Sequence, residues 1–441
     1  MRTQLKAVAL AGLTAILGFA VFARGGVVYS QWNYCLLAMG LLGCIHWIGM
    51  RGEKRPPPLE RALKWPLALL PCYALFQIIP LPVTLLRMLS PSRAALEDAL
   101  QPVTGVSGFA TLSVVPEGTL QMLLQICAYT VCFLLVRDLG FRLRQRRWLL
   151  AAPLVAIGLL EAIYGLLEFS TGSEVSGTYP NRNHFAGYLE MVLPFCVVYA
   201  LAAARQVWAD DGGPPSHLRS AIAGIAAAAM MVAILCSLSR GGLLSSILSM
   251  LVIAALLLAA RGATALRRLA LSAVVVAGIV GVTVFLSPQK LLQRLASEEF
   301  LSRYDIWVET VPMIKAYLLF GCGLNGFEPV FLHYRISLPT RIADYAHNDY
   351  LQLLAEAGIA GFLIGSALFL GILFRIVKSA ISHPTPKSQY LAMACAGSMA
   401  AIALHSFTDY NMYIPANALL LSWITGIAAS IRTPVNNTTS S

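Results

Sequence analysis

The residues with the most chemical potential stand at the entrance to an apolar run. In "ADYAHNDYLQLLAEAGIAG", residues 343–361, His347, Asn348 and Asp349 are consecutive, and mostly aliphatic sequence follows to about residue 374. Histidine is the side chain whose ordinary titration range suits proton transfer near neutral pH. Three arginines stand out beside it: Arg182 in "GTYPNRNHFAGYLE" just before an apolar run, Arg240 in "SLSRGG" between two apolar runs, and Arg303 opening "RYDIW". A guanidinium carries permanent charge on a planar fork that matches phosphate oxygens. Together these types suit binding of a diphosphate by arginine and activation of a hydroxyl by histidine.

Each residue also has a plainer reading. His347 could cap a helix or fill a structural hydrogen bond, and His184, two residues beyond Arg182, has the stronger claim to a structural role. Arg240 could snorkel to lipid headgroups. Arg303 could lie on the solvated face of an amphipathic helix. Asn181 and Asn183 look like turn and cap residues. Asp409 and Asn411, in "TDYNMYIP", either line a cavity or cap a helix.

The elements that must position these groups are membrane helices. The 441-residue chain is 58% hydrophobic and 12% charged, against about 25% charged in soluble domains. Apolar runs of membrane-crossing length recur from end to end. The expected fold is an all-α polytopic membrane protein, a single integral membrane domain over 1–441, with about 12 transmembrane helices. They fall near 7–23, 34–50, 66–82, 118–136, 148–168, 184–204, 220–239, 241–260, 269–286, 348–374, 389–408 and 413–431. No clean small-residue cleavage site follows the first run and Arg24 comes next, so it reads as an uncleaved span.

Charge decides the orientation. With the N-terminus inside, 21 of the 32 Lys and Arg fall on cytoplasmic segments, in short basic linkers such as "RGEKRPPPLERALK" and "RDLGFRLRQRR". That is the bias cytoplasmic loops carry, and it places both termini in the cytoplasm. The net charge of +11 is thereby explained without a nucleic-acid partner. Two segments on the other side are long. Residues 83–117 form the smaller, and residues 287–347, between spans 9 and 10, form a long and partly helical loop. "RYDIWVETVPMIKAYLLF" is its clearest amphipathic stretch. Eight of the nine cysteines lie in or beside apolar runs, and Cys322 in the long loop has no loop partner, so no disulfide framework is expected. Cys322 is the natural thiol reporter of that loop's side.

Missing motifs narrow the chemistry. There is no nucleotide-binding G-x-x-x-x-G-K-[ST] loop, no Asp-x-Asp pair, no Cys/His cluster on the outer side and no G-x-S-x-G elbow. No cofactor and no dedicated metal site are expected.

Four motifs occur in order: "GTYPNRNHFAGYLEMVLP", "SLSRGGLL", "RYDIWVETVPMIKAYLLFGCGLNGFEPVF" and "YAHNDYLQLLAEAGIAGF". Over roughly residues 118–425 the chain resembles the O-antigen ligase and O-antigen polymerase superfamily of bacterial membrane glycosyltransferases. The resemblance implies transfer of a glycan from an undecaprenyl-diphosphate-linked donor to an acceptor hydroxyl at the periplasmic face of the inner membrane. The acceptor would be lipid A–core in a ligase and a growing glycan in a polymerase. A protein O-oligosaccharyltransferase is the third variant. The family's essential arginines match Arg182, Arg240 and Arg303, which would hold the diphosphate. Its essential histidine matches His347, which would act as base. Asn348, Arg341 and Asp409 are candidates to line the site. Such an enzyme needs no metal and inverts the anomeric configuration. A lipid-linked oligosaccharide transporter is the rival of a different class. It calls for inverted repeats and ionisable groups at the midplane. Here the polar groups gather at one face and no repeat is visible.

Overall fold

The computed structural model describes residues 2–105, 108–209, 213–260, 298–337 and 343–431. Among the described residues there are fifteen α-helices: α1 Arg2–Phe22, α2 Tyr29–Gly49, α3 Arg61–Ile78, α4 Val83–Leu89, α5 Pro91–Thr104, α6 Pro116–Arg142, α7 Ala152–Ser170, α8 Arg182–Ala204, α9 Ser216–Cys236, α10 Arg240–Ala259, α11 Glu298–Ala316, α12 Phe327–Tyr334, α13 Asp349–Ser382, α14 Pro386–His405 and α15 Pro415–Ser430. A two-residue ribbon, β1 Leu81–Pro82 with β2 Phe109–Ala110, is antiparallel. Helix is the form that lets an apolar chain pair every backbone group within one segment, which lipid requires.

Eight of these helices, α1, α2, α6, α7, α8, α9, α10 and α13, are long and apolar enough to cross a membrane by length and composition. The expected spans at 66–82, 389–408 and 413–431 fall on α3, α14 and α15. These are helices too, but α3 carries Pro66 and Pro71, α14 opens on the polar Pro386–Gln389 and α15 has 16 residues. The expected span at 269–286 lies outside the described residues, as does Arg341.

Helix α8 is the hub: every side chain from His184 to Cys196 is buried. It packs on α9, α10 and α14, while α15 packs on α6. Small residues permit the close approaches. A Cβ on Gly187 would lie 2.2 Å from Asn411 Oδ1, and one on Gly241 would lie 2.6 Å from His405. Both contacts sit at the same end of the bundle, where α8, α10 and α15 begin and α14 finishes.

The opposite end holds the basic linkers, tied by their own polar contacts. His46 Nε2 is 2.7 Å from Asp138 Oδ2, which also accepts from Arg142 Nε at 2.6 Å. Trp148 Nε1 donates to the carbonyl of Lys387 at 2.9 Å.

The sequence reads 348–374 as one helix, and the structure breaks it. Within α13, Gly358 has φ 59° and ψ −171°, a conformation essentially reserved for glycine. The reason is a neighbour. Residues 318–323 insert at the break, so that the Ile359 and Ala360 amides donate to the carbonyls of Leu318 and Leu319 at 2.9 and 3.1 Å. The Cys322 and Gly323 amides return the contact to Ala355 and Glu356 at 3.0 Å each. Gln77 Nε2 on α3 donates to the Glu356 carbonyl at 2.9 Å. Irregular backbone in a membrane protein persists where protein supplies such partners. The segment 83–117, which reads as a loop punctuated by proline and glycine, contains α4 and α5. It joins the long loop through the Val114 amide on the Cys322 carbonyl, 2.8 Å apart.

Two expectations follow from this architecture. Gly358→Ala forces a side chain to within 2.5 Å of the Leu319 backbone in a left-handed conformation. It should lower stability by about 1–3 kcal/mol or more, read as a fall in the thermal unfolding midpoint of detergent-purified protein. Cys322 cannot report sidedness, because it is fully buried and burial pushes its thiol well up. Ile336, 89% exposed, is the better position. Ile336→Cys should react with an impermeant maleimide in intact spheroplasts, and Lys54→Cys only after permeabilisation. The reverse pattern would invert the orientation.

Candidate active site

The site is built at the end of the bundle where α8, α10 and α13 begin and where the turn 406–414 links α14 to α15. At its centre is Asp409, with no exposed surface. Its Oδ1 lies 3.5 Å from His184 Nε2 and 3.6 Å from His347 Nδ1, and its Oδ2 lies 3.9 Å from Arg303 Nη2. These are charge contacts, long for hydrogen bonds. The Asp409 carboxylate oxygen does accept from the Tyr410 amide at 2.9 Å. Arg303 Nη1 donates to the Thr408 carbonyl at 2.7 Å, fixing the same turn from α11.

Burial alone would push the Asp409 carboxyl up. The ring nitrogens of His184 and His347 and the charge of Arg303 outweigh that and hold it well below the usual carboxylate range. The sign of the linkage follows. A depressed carboxylate contributes stability at every pH above its ordinary value of about 3.9, and that contribution fades only as pH falls towards the folded-state value. Asp409 therefore stays ionised across the working range.

His347 is held on three sides. Its backbone is left-handed, φ 49°, a conformation that costs a non-glycine residue energy and clusters at functional sites. Its neighbours fix it there. Gln352 Oε1 accepts from the Ala346 amide at 2.6 Å, and Asn348 caps α13 by accepting from the Tyr350 and Leu351 amides at 3.0 and 3.1 Å. The His347 ring stands edge-on to Tyr410 at 5.0 Å, and Tyr410 stacks on Tyr345 at 4.1 Å. The side chain keeps 27% exposure while its Nδ1 is buried against Asp409. The accessible part of the ring is thus elsewhere.

The polar residues after His347 serve as architecture. Asn348, expected to line the site, spends its side chain on the cap and donates Nδ2 to the Phe407 carbonyl at 3.1 Å. Asp349 accepts from the Ser406 hydroxyl at 2.7 Å and from the Met412 amide at 3.2 Å. Glu356 accepts from Tyr413 Oη at 2.8 Å, Gln352 Nε2 at 2.9 Å and the Phe327 amide at 3.2 Å. The motif thereby clamps the 406–414 turn and α12 around one histidine.

The structure places the arginines unequally. Arg303 reaches the Asp409 cluster directly. Arg240 is the first residue of α10, exposed, and next to Gly241, which lies against His405 and Thr408. Arg182 opens α8, two residues from His184, and its Nη1 is 3.5 Å from the exposed Glu174 carboxylate. His184, which the sequence suggests is structural, proves to be an Asp409 partner. Beneath them lies a buried pair, His405 Nδ1 and Glu190 Oε2 at 3.0 Å, which no motif singled out. Two polar residues on separate helices carry no spacing signal. Among the described residues, no group of three or more His, Cys, Asp and Glu forms a metal site.

Asp409→Asn keeps the volume and removes the charge that gathers three cationic or potentially cationic groups. It should lower stability by about 1–3 kcal/mol and cut activity at least tenfold. The check is the thermal midpoint and turnover measured on the same preparation. An unchanged midpoint would mean that the cluster does not hold the turn.

Residues 225–366 match the family model described as O-antigen ligase. That stretch includes Arg240, Arg303 and His347, and excludes Arg182 and Asp409. No curated protein matches the chain. With its apolar helices, the chain is a multi-pass membrane protein, and its residues 225–366 are similar to the O-antigen ligase family model.

Proposed function

We propose that this protein transfers a glycan from an undecaprenyl-diphosphate-linked donor to an acceptor hydroxyl at the periplasmic face of a bacterial inner membrane. It acts as a ligase in lipopolysaccharide or surface-polysaccharide assembly, with lipid A–core as acceptor, and its termini lie in the cytoplasm. The observation that carries this reading is the carboxylate–histidine contact, Asp409 Oδ1 to His347 Nδ1 at 3.6 Å, beside the arginines of α10 and α11.

The Asp409 charge favours a proton on His347 Nδ1, which leaves Nε2 as the acceptor. Nε2 takes the proton from the acceptor hydroxyl as its oxygen attacks the anomeric carbon. The bond from that carbon to the diphosphate oxygen breaks, and the electron pair leaves with undecaprenyl diphosphate. Attack opposite the leaving group inverts the anomeric centre. A diphosphate departs without protonation if fixed positive charge meets it, and Arg182, Arg240 and Arg303 would supply that charge. No metal is required by this scheme. Arg303 has a second duty, since its bond to the Thr408 carbonyl also orients the Asp409 turn.

Purified protein given lipid-linked donor and acceptor should form product without ATP and in the presence of a chelator. Activity lost on chelation and restored by a divalent ion would overturn the arginine-based scheme. His347→Ala should reduce turnover by about 10²–10⁴-fold, remove the acidic limb of the pH–rate profile and leave donor affinity near normal. Arg240→Ala should weaken donor binding itself, by roughly 1.5–3 kcal/mol for each charge-assisted hydrogen bond lost. Arg240→Lys should restore only part of it, because a point charge lacks the fork. If His347→Ala loses donor affinity as badly as Arg240→Ala, His347 belongs to the diphosphate site instead.

A further inference from the structure

A cavity of about 360 Å³ opens beside the Asp409 cluster and shares two walls with it, His184 and Tyr410. Its size falls within the range of small-ligand sites, about 300–1,000 Å³. Its chemistry differs sharply from that of the charged Asp409 cluster. Tyr29, Tyr345, Tyr410 and Tyr413 contribute aromatic rings to its lining, with Tyr345 stacked on Tyr410, and Gln121, Gln125 and Asn181 contribute side-chain amides. No Lys, Arg, Asp or Glu is among the described residues that line it. Burial pushes the Tyr345 and Tyr410 hydroxyls up, so both rings stay neutral donors.

A pyranose ring has a face of C–H groups and a rim of hydroxyls that both donate and accept. Aromatic rings suit the face, and side-chain amides, with a carbonyl and an NH₂ each, suit the rim. A carboxylate or phosphate in the same space would be desolvated with no Lys or Arg among the described lining residues, and the one imidazole there, His184, already faces Asp409. Of the fourteen described residues lining the cavity, two, Asn325 and Tyr345, fall within the matched stretch 225–366. The rest come from the α1–α2 connection, α6, the start of α8 and the 410–415 turn. The cavity is therefore built mainly by parts of this chain outside the matched domain.

We propose that this cavity is a sugar subsite that holds one uncharged pyranose ring next to the bond being made, and that it selects against acidic sugars. The inference rests on the glycosyl-transfer reading. It adds which part of the chain reads the sugar and what charge that sugar carries. The ring can come from the donor glycan or from the acceptor, and the two are separable.

The test uses full-length protein in nanodiscs and two probes, undecaprenyl diphosphate bearing one N-acetylhexosamine and bare undecaprenyl diphosphate. Tyr29 is 57% exposed and makes no contact with the Asp409 cluster among the contacts described above, so Tyr29→Ala should fold. It should weaken binding of the sugar-bearing lipid by about three- to tenfold, the scale of one aromatic contact, and leave the bare lipid unchanged. Tyr29→Phe should bind as wild type does, and Gln125→Ala on α6 should repeat the Tyr29→Ala pattern. If donor affinity holds but the acceptor KM rises by the same factor, the bound ring is the acceptor's and the subsite stands. Replacing the hexosamine by a uronic acid should weaken wild-type binding at least as much, and equal binding would overturn the charge selection. Equal weakening of both lipids by Tyr29→Ala, or no change in any affinity or KM, would overturn the subsite. Failure of wild-type protein to bind bare undecaprenyl diphosphate in an Arg240-dependent way would instead sink the glycosyl-transfer reading.

Discussion

One buried carboxylate organises the end of this bundle that holds the candidate site. Asp409 has no exposed surface, and an isolated charge there would be too costly to keep ionised. It is tolerated because three chain segments distant in sequence bring it partners: His184 from α8, Arg303 from α11 and His347 from the approach to α13. The dependence is mutual. His347 Nδ1 is buried and, among the described residues, makes no shorter polar contact than the one to Asp409. Removing the charge would leave Arg303 and the turn it binds without their common reference.

Around that centre the polar residues divide into holders and actors. Asn348, Asp349, Gln352 and Glu356 lie within nine residues of His347, and each is committed to a backbone amide or a neighbouring side chain. Their combined effect is to hold His347 in a left-handed backbone conformation with its ring edge on Tyr410. The strain is affordable because so many contacts over-determine the position. Arg182 and Arg240 differ in opening α8 and α10 at the same end of the bundle.

The same end of the molecule solves a second problem. A helix that begins on the polar layer and continues into lipid has to change character along its length. In α13 this happens at Gly358, where residues 318–323 supply the backbone partners that the helix interrupts. Stacked Phe327 and Phe331, 4.9 Å apart, give the outer layer a small core of its own. The long loop is thereby part of the candidate site's frame, linked to α3 because Gln77 and Tyr73 both donate to the Phe320 carbonyl.

The sequence by itself determined the class of this protein. Composition and run length demand helices in a membrane, because only internally paired backbone is stable in lipid, and His347, Arg182 and Arg240 stand out as candidates because they lie at the ends of apolar runs. Its motifs also pointed to the O-antigen ligase model that residues 225–366 match, since patterns such as "SLSRGG" and "HNDYLQLLAEAG" are short local strings. What only the tertiary structure decided is which side chains meet. Asp409 and His347 are 62 residues apart, and His184 is farther still, so no local period links them. That Asn348 caps, that His184 faces Asp409 and that Tyr29, Gln125 and Tyr345 share a cavity all depend on how the helix ends converge. The break at Gly358 is likewise invisible in an apolar run whose composition favours helix, because its cause is the backbone of residues 318–323 packed against it. Helix formation is a local preference written in composition, whereas the pairing of buried charges is settled by packing between segments far apart in the chain.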